Sequence, residues 1–314
     1  MLLKNDLNRI LIENAVRLNL KNFENDEKRC IRRLIDTGLS VSKKNSEKST
    51  FNDIRALFAD DDSKYYPATS NLFRNLSRDR LINFGVNLGY NCFNKGAKTI
   101  EHLEKTTGKT IPWIADMDVT LQNEAKYRTE TFNKLLNHYS NFGINAYIMR
   151  FEQNIPEDTY LAILKTMEEF PYTNFMLILP DEVLSNKILL AMDKLNNIIL
   201  VLNMDHSSYR EMLEKAEAMQ LINATMFKVN DGFSDKIKES DLFVKVSKNL
   251  CPIVIFDVTK DISESEKNAF ISGLSSLRAN PPEPIFMMNL ENDIQSINRS
   301  ISGKEVSTHI NVKG

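Results

Sequence analysis

The sequence predicts an α/β fold, with parallel strands forming a partial six-stranded βα barrel of the TIM type behind a helical N-terminal extension. Three observations predict it. First, six short apolar segments recur at 113–119 (WIADMDV), 145–150 (NAYIMR), 174–179 (NFMLIL), 197–203 (NIILVLN), 223–229 (NATMFKV) and 252–257 (PIVIFD). Second, amphipathic stretches fill the gaps at 129–141, 157–169, 182–194, 207–219 and 234–249. Strands alternating with helices in this way build parallel sheets. The short connections and similar unit lengths admit either a wound open sheet or a barrel. Third, strand polarity favours the barrel. Ala115, Met117 and Val119 alternate with Asp116 and Asp118, Tyr147, Met149 and Phe151 with Arg150, and Val254 and Phe256 with Asp257. One face is apolar and the other carries charge near the strand's C-terminal end, the edge at which barrel enzymes keep their chemistry.

In order along the chain, residues 1–109 form the helical extension, 110–260 the six-stranded barrel, and 261–314 a helix-strand-helix segment with a tail. Asp6 is a suitable N-cap for a first helix carrying Leu7, Ile10, Leu11, Ala15 and Leu18 at helical spacing, whose apolar face calls for a helical cover. A second helix over 26–37 stops near Gly38, and the polar stretch 39–50 with Lys43, Lys44 and Lys48 is expected as a solvated linker. A short helix at 51–59 follows, then the acidic run Asp60 to Asp62 and a turn at the YYP of 65–67. Helical pattern resumes over 77–90, where Gly85 and Gly89, four apart, are expected to let another helix approach closely. A further helix spans 96–107 and ends at Gly108. Beyond the sixth strand come a helix at 264–277, the turn NPPEP at 280–284, a strand IFMMN and a last helix.

The 314 residues carry a net charge of −2, with a pI near 6.2, and no clustered basic excess of the kind nucleic-acid binding requires. No apolar run approaches the ~20 residues that span a bilayer, and MLLKNDLNRI lacks a signal-peptide core, so the expected location is cytoplasmic and no membrane partner is expected. Cys30, Cys92 and Cys251 are far apart, which suggests neither a disulfide framework nor a zinc site. There is no GxSxG, Walker loop, HExxH or GxGxxG.

The string IPWIADMDVT from Ile111, the string NFGVNLGYN at 83–91 and the terminal HINVKG at 309–314 carry a family resemblance. Their order and spacing resemble a clostridial branch of the radical SAM proteins, in which a helical extension precedes a strand ending in a pattern like IPWAI-x-x-DPT, then CxxxCxxC, with Asp118 at the Asp of that pattern. The resemblance implies a [4Fe–4S] cluster and SAM as cofactors, and both motifs are missing. The loop after the first strand reads Leu121, Gln122, Asn123, Glu124, Ala125, Lys126, Tyr127, without a cysteine, whereas cluster ligation needs thiolates. In place of a GGEP-like shelf stand Arg150, Phe151, Glu152 and Gln153, of which Glu152 alone matches.

The charged residues expected near the mouth are Asp116, Asp118, Arg150, Glu152, Asp205, His206, Lys228 and Asp257. Asp118, Asp205 and Asp257 could ligate a hard cation, or Lys228 could work with a carboxylate as acid and base. Alternatively Arg150 and Lys228 neutralise inward aspartates in a vacated cavity, because unpaired buried charge is costly. Ser207 and Ser208 offer caps to the helix after the fourth strand. The expected function is that of a cluster-less, non-catalytic binding or partner subunit beside an active radical SAM paralogue or another protein. The alternative is an enzyme or small-ligand sensor using the polar mouth, with or without a divalent metal.

Overall fold

All six expected strands form, and a seventh joins them in one parallel sheet. The computed structural model describes residues 6–42, 45–237, 240–304 and 306–308. Its strands are β1 (Ala115–Val119), β2 (Ala146–Phe151), β3 (Asn174–Ile178), β4 (Ile198–Asn203), β5 (Asn223–Val229), β6 (Ile253–Val258) and β7 (Phe286–Asn289). Their order across the sheet follows the chain from β1 to β7, and every neighbouring pair is parallel. The strands appear in the sequence as short apolar runs because most of their residues are buried on both faces; every residue of β4 is buried.

Helices α7 (Thr129–Asn141), α8 (Glu157–Glu168), α9 (Asn186–Asp193) and α10 (Tyr209–Ala218) connect β1 through β5 in turn. The helix expected at 234–249 is instead two short ones, α11 (Phe233–Lys236) and α12 (Ser240–Ser247), with Gly232 in the left-handed region just before the first. Two helices complete the chain, α13 (Glu264–Ala279) before β7 and α14 (Leu290–Ser302) after it. The tail then runs beside the free edge of β1, where the Asp116 amide donates to the Thr308 carbonyl at 2.9 Å. The Trp113 amide donates to Asn298 Oδ1 of α14 at 2.9 Å, so helix and tail together shield an edge strand that would otherwise offer unpaired backbone.

The N-terminal unit comprises α1 (Leu7–Leu20), α2 (Glu27–Val41), α3 (Asn45–Leu57), α4 (Tyr65–Asn75), α5 (Arg78–Val86) and α6 (Ala97–Thr107). Between α5 and α6 the helix does not break as the sequence suggests. It widens into a π-helical segment, Asn87–Gly96, making one continuous rod. The expected linker at 39–50 is largely helical, since α2 continues to Val41 and α3 starts at Asn45; Lys43, Lys44 and the HINVKG string lie outside the described residues. The YYP stretch opens α4 rather than making a turn: Pro67 sits in the first helical turn, where its missing N–H is no loss.

This unit rests against the N-terminal ends of the strands. Asn87 and Asn91 send their Nδ2 groups to the Pro171 and Tyr172 carbonyls (both 2.9 Å), Asn83 reaches the Asn196 carbonyl (3.1 Å), and Arg80 pairs with Asp193 (2.6 Å). Phe93 packs on Trp113, the lone tryptophan, with ring centroids 4.7 Å apart. Gly96 and Gly143 make the closest approach: a Cβ on either would lie 2.4–2.5 Å from the other's carbonyl oxygen.

Asp6 caps α1 as expected, accepting from the Asn8 amide. The leucine face of α1 is not covered by another described element, however. Buried Arg9 fixes the rotation of the helix, donating to Asn83 and Asn87 at 3.0 Å each and stacking 4.4 Å over the Tyr172 ring. Ile12, Val16 and Leu20 turn inward with it, which leaves Leu7, Leu11 and Leu18 66–73% exposed. Changing these three leucines to lysine is expected to alter unfolding free energy by less than about 0.5 kcal/mol each in urea titrations. A loss above about 1 kcal/mol would mean that the face is covered.

Candidate functional site

Parallel register places Asp118 opposite Arg150 on β1 and β2, and Lys228 opposite Asp257 on β5 and β6. Since side chains alternate, Asp116, Asp118, Arg150, Lys228 and Asp257 share one face of the sheet. Arg150 is the hub. Its Nε donates to both oxygens of Asp116 at 3.1 Å, and its Nη1 reaches Asp257 Oδ2 at 3.1 Å. The first bond joins adjacent strands. The second joins β2 to β6, four strands apart, which in a flat sheet would be about 19 Å of interstrand spacing. No arginine and aspartate pair bridges that distance, so the sheet curls enough to bring β2 and β6 within side-chain reach on this face.

The three side chains are 29% (Arg150), 13% (Asp116) and 23% (Asp257) exposed, between a surface pair and a fully buried one. Burial works against the Arg150 cation, but the adjacent Asp116 and Asp257 carboxylates outweigh it and hold its pKa above the usual arginine value. Arg150 therefore stays a cation at every physiological pH. The other member expected to neutralise an inward aspartate, Lys228, is exposed and forms no ion pair among the described residues, because its side chain stands at the solvent end of β5.

Glu152, Asp205 and His206 do not converge on this cluster. Glu152 follows the end of β2 and accepts from the Leu121 amide (3.1 Å), tying down the loop after β1. That loop is closed by its own polar groups: Asn123 Nδ2 and the Tyr127 hydroxyl both donate to the Asp118 carbonyl (2.8 and 2.7 Å), while Asn123 Oδ1 accepts from the Thr120 amide (2.8 Å). Burial, with the Asp118 charge adding to it, pushes the Tyr127 phenol up, so it stays a protonated donor. Asp205 and His206 lie in the turn after β4, where the Asn203 side chain accepts from the Asp205 amide (3.1 Å). Neither side chain bonds to the Arg150 cluster among the described residues.

Asp181 is the residue here that the sequence does not signal. It leaves the loop after β3 and accepts from Ser207 Oγ (3.0 Å), Ser208 Oγ (3.0 Å) and the Ser208 amide (2.9 Å). The expected serine cap of α10 is thus supplied by a neighbouring loop's carboxylate, with Ser208 as donor rather than acceptor. Similar ties recur, with Glu182 accepting from the Asn154 amide (3.1 Å) and Asp231 from the Ser263 amide (3.0 Å). The Ser208 amide, helped by the serine hydroxyls and opposed by slight desolvation, holds the Asp181 pKa down at about 2, against an ordinary 3.8. A lowered carboxylate pKa stabilises the fold fully above pH 3.8, and that contribution disappears as pH falls towards 2. Urea midpoints of the protein and of Asp181→Ala are therefore expected to differ at neutral pH and to converge between pH 4 and pH 2; a gap that stays constant would contradict the assignment.

The thiols present are not placed to ligate an iron–sulfur cluster at the C-terminal ends of the strands. All three thiols are buried and none is near the C-terminal ends of the strands. Cys30 is in α2. Cys92, in the π-helical segment, donates to the Asn145 carbonyl below β2 (3.2 Å), and Cys251 precedes β6. Burial pushes the Cys92 thiol up and the Cys251 thiol to about 12, so both stay protonated and are poor metal ligands. Among the described residues no group of three or more His, Cys, Asp or Glu side chains has the geometry to hold a metal ion, and no helix is long and apolar enough to cross a membrane. No protein-family model matches the chain, and no curated protein matches it.

Proposed function

We propose that this chain is a cluster-less protein with a partial TIM-type barrel, resembling the radical SAM proteins in architecture, that acts as a non-catalytic binding or partner subunit. Sequential strand order supports the barrel. With the usual right-handed crossovers, a strand order without reversal puts the connecting helices on one face, and the curl that joins β2 to β6 is consistent with the other face being the interior. On this reading α14 and the tail stand in the slot between β7 and β1. The observation that carries the functional part is the Arg150 guanidinium held between Asp116 and Asp257. On this reading the chain's own ion pairs lie inside the curl, near the edge where a barrel enzyme holds its cofactor, and Glu152 tethers a loop. A non-catalytic partner of an active radical SAM paralogue needs the architecture and its outer surfaces, and neither the cluster thiolates nor the SAM shelf.

Anaerobic reconstitution with iron and sulfide, followed by calorimetric titration with SAM, tests the proposal. The expected result is substoichiometric, chelator-labile iron and no saturable SAM binding. Four iron and four sulfide per chain, with SAM bound, would overturn it.

A further inference from the structure

A predominantly apolar cavity lies away from the sheet, inside the N-terminal helical unit. It is a half-open cavity of about 330 Å³ lined by α1, α2, α3, α4, α5 and the π-helical segment, with Ile12, Leu34, Ile54, Phe73 and Leu88 among its walls. Gly85 and Gly89 form part of its wall. They stand one above the other on the rod, and a Cβ on either would meet nothing within 4 Å, so they do not seat another helix as their spacing suggests. Each costs helix propensity, which alanine would restore at no steric cost. The adjoining π-helical segment is a second departure from regular helix, of a kind common at functional sites.

The cavity's polar rim is already satisfied. The Tyr90 hydroxyl donates to Asp6 (2.9 Å), Thr37 Oγ1 donates to the Arg33 carbonyl (2.7 Å) and accepts from Asn19 (2.8 Å), and Ser42 Oγ donates to the Gly38 carbonyl (2.8 Å). Asn94 Oδ1 accepts from Lys98 (2.7 Å). A guest gains little by hydrogen bonding here and much by covering apolar wall. Its size follows from the volume: since a cavity of about 150 Å³ accommodates benzene, this one takes roughly a dozen carbon atoms. Its shape follows from the wall. Lining residues run along the rod from Leu81 to Asn94, roughly 20 Å of helix, a length that suits a chain better than a compact ring system.

We infer that the cavity beside Gly85 and Gly89 is a binding site for a linear hydrocarbon chain of about twelve carbons, such as a medium-chain acyl or alkyl group. The inference is independent of the proposed role of the sheet, because the reconstitution test does not involve these residues and a hydrocarbon titration does not involve Arg150.

The test is displacement of a bound fluorescent naphthalene sulfonate by dodecanol, dodecanoate, octanol and naphthalene, each below its aggregation limit, with thermal shift as a second readout. Dodecanol and dodecanoate should bind saturably and raise Tm, with octanol and naphthalene at least tenfold weaker. Gly85→Leu and Gly89→Leu place a side chain in the cavity. They should keep or raise Tm without ligand and weaken dodecanol binding at least tenfold. If either variant is poorly folded, Gly85→Ala and Gly89→Ala serve in its place, with a smaller loss expected. Dodecanol affinity unchanged in all four variants, tighter binding of naphthalene, or no saturable binding would each overturn the inference. So would a variant lacking residues 2–5 that binds dodecanol where the full chain does not, because the chain's own start would then be the occupant.

Discussion

Arg150→Ala is expected to lower the unfolding free energy by about 2–3 kcal/mol, somewhat below the 3–5 kcal/mol typical when one partner of a fully buried pair is removed. The discount follows from the 13–29% exposure of the three side chains, which lets water reach part of the cluster. The loss arises less from the missing attraction than from Asp116 and Asp257, which would face each other across the curled sheet without a cation. That origin makes a second outcome predictable. Adding Asp116→Asn or Asp257→Asn to Arg150→Ala should recover about half of the loss, because a neutral amide relieves the repulsion. Arg150→Lys keeps the charge but not the fork that reaches two carboxylates, so it should cost about 1 kcal/mol. Tm should fall by roughly 5 °C in the alanine variant. Urea denaturation of the four proteins at two salt concentrations checks all of this; a loss below about 0.5 kcal/mol for Arg150→Ala would place the cluster in solvent.

Gly143→Ala is expected to be at least as damaging, at about 3 kcal/mol or more. Gly143 has φ +90, a backbone conformation that costs an L-residue about 1–2 kcal/mol. Its Cβ would also lie 2.5 Å from the Gly96 carbonyl oxygen, which belongs to a helix backbone and cannot rotate aside. Forced repacking of that kind adds roughly 1–3 kcal/mol. Gly96→Ala should destabilise through the same contact, by about 2 kcal/mol after its gain in helix propensity. Gly85→Ala and Gly89→Ala, on the same rod, should instead stabilise by up to about 1 kcal/mol each, since nothing stands within 4 Å of the added carbon. Four alanine substitutions in one helical unit and its neighbouring turn thus have opposite predicted signs, and thermal denaturation distinguishes them. Stabilisation by Gly143→Ala would show that the rod does not meet the turn before β2.

The sheet was legible in the sequence because strands buried on both faces leave unmistakable apolar runs; IILVLN at β4 can hardly be anything else. The short seventh strand, Phe286–Asn289, was visible as a segment, but its place in the sheet depends on tertiary pairing with β6. The rod from Arg78 to Thr107 looked broken because NCFNKG interrupts the helical period, and a π-helical stretch changes that period without ending the helix. YYP suggests a turn because proline breaks most helices, yet proline is tolerated in a first helical turn, where Pro67 stands.

The Arg150 cluster divides in the same way. Its pairing with Asp116 follows from neighbouring strands and side-chain alternation, both readable from pattern. Its bond to Asp257 depends on how tightly the sheet curls, a property of packing across 107 residues that no local pattern encodes. Lys228 shows the converse limit, since register puts it opposite Asp257 while the open end of β5 leaves its side chain in water. The helix-facing rotation of α1 was hidden for a related reason: hydrophobic period favours the Leu7, Leu11, Leu18 face, and the buried hydrogen bonds of Arg9 override it.

A double-mutant cycle between Arg150 and Asp257 tests the central claim most directly, that β2 and β6 face each other across an interior filled by the chain's own charges. Arg150→Ala, Asp257→Ala and the double variant, measured by urea denaturation at low salt, should give a coupling energy of about 1–2 kcal/mol. Additivity within about 0.3 kcal/mol, the behaviour of residues far apart in a flat sheet, would contradict it.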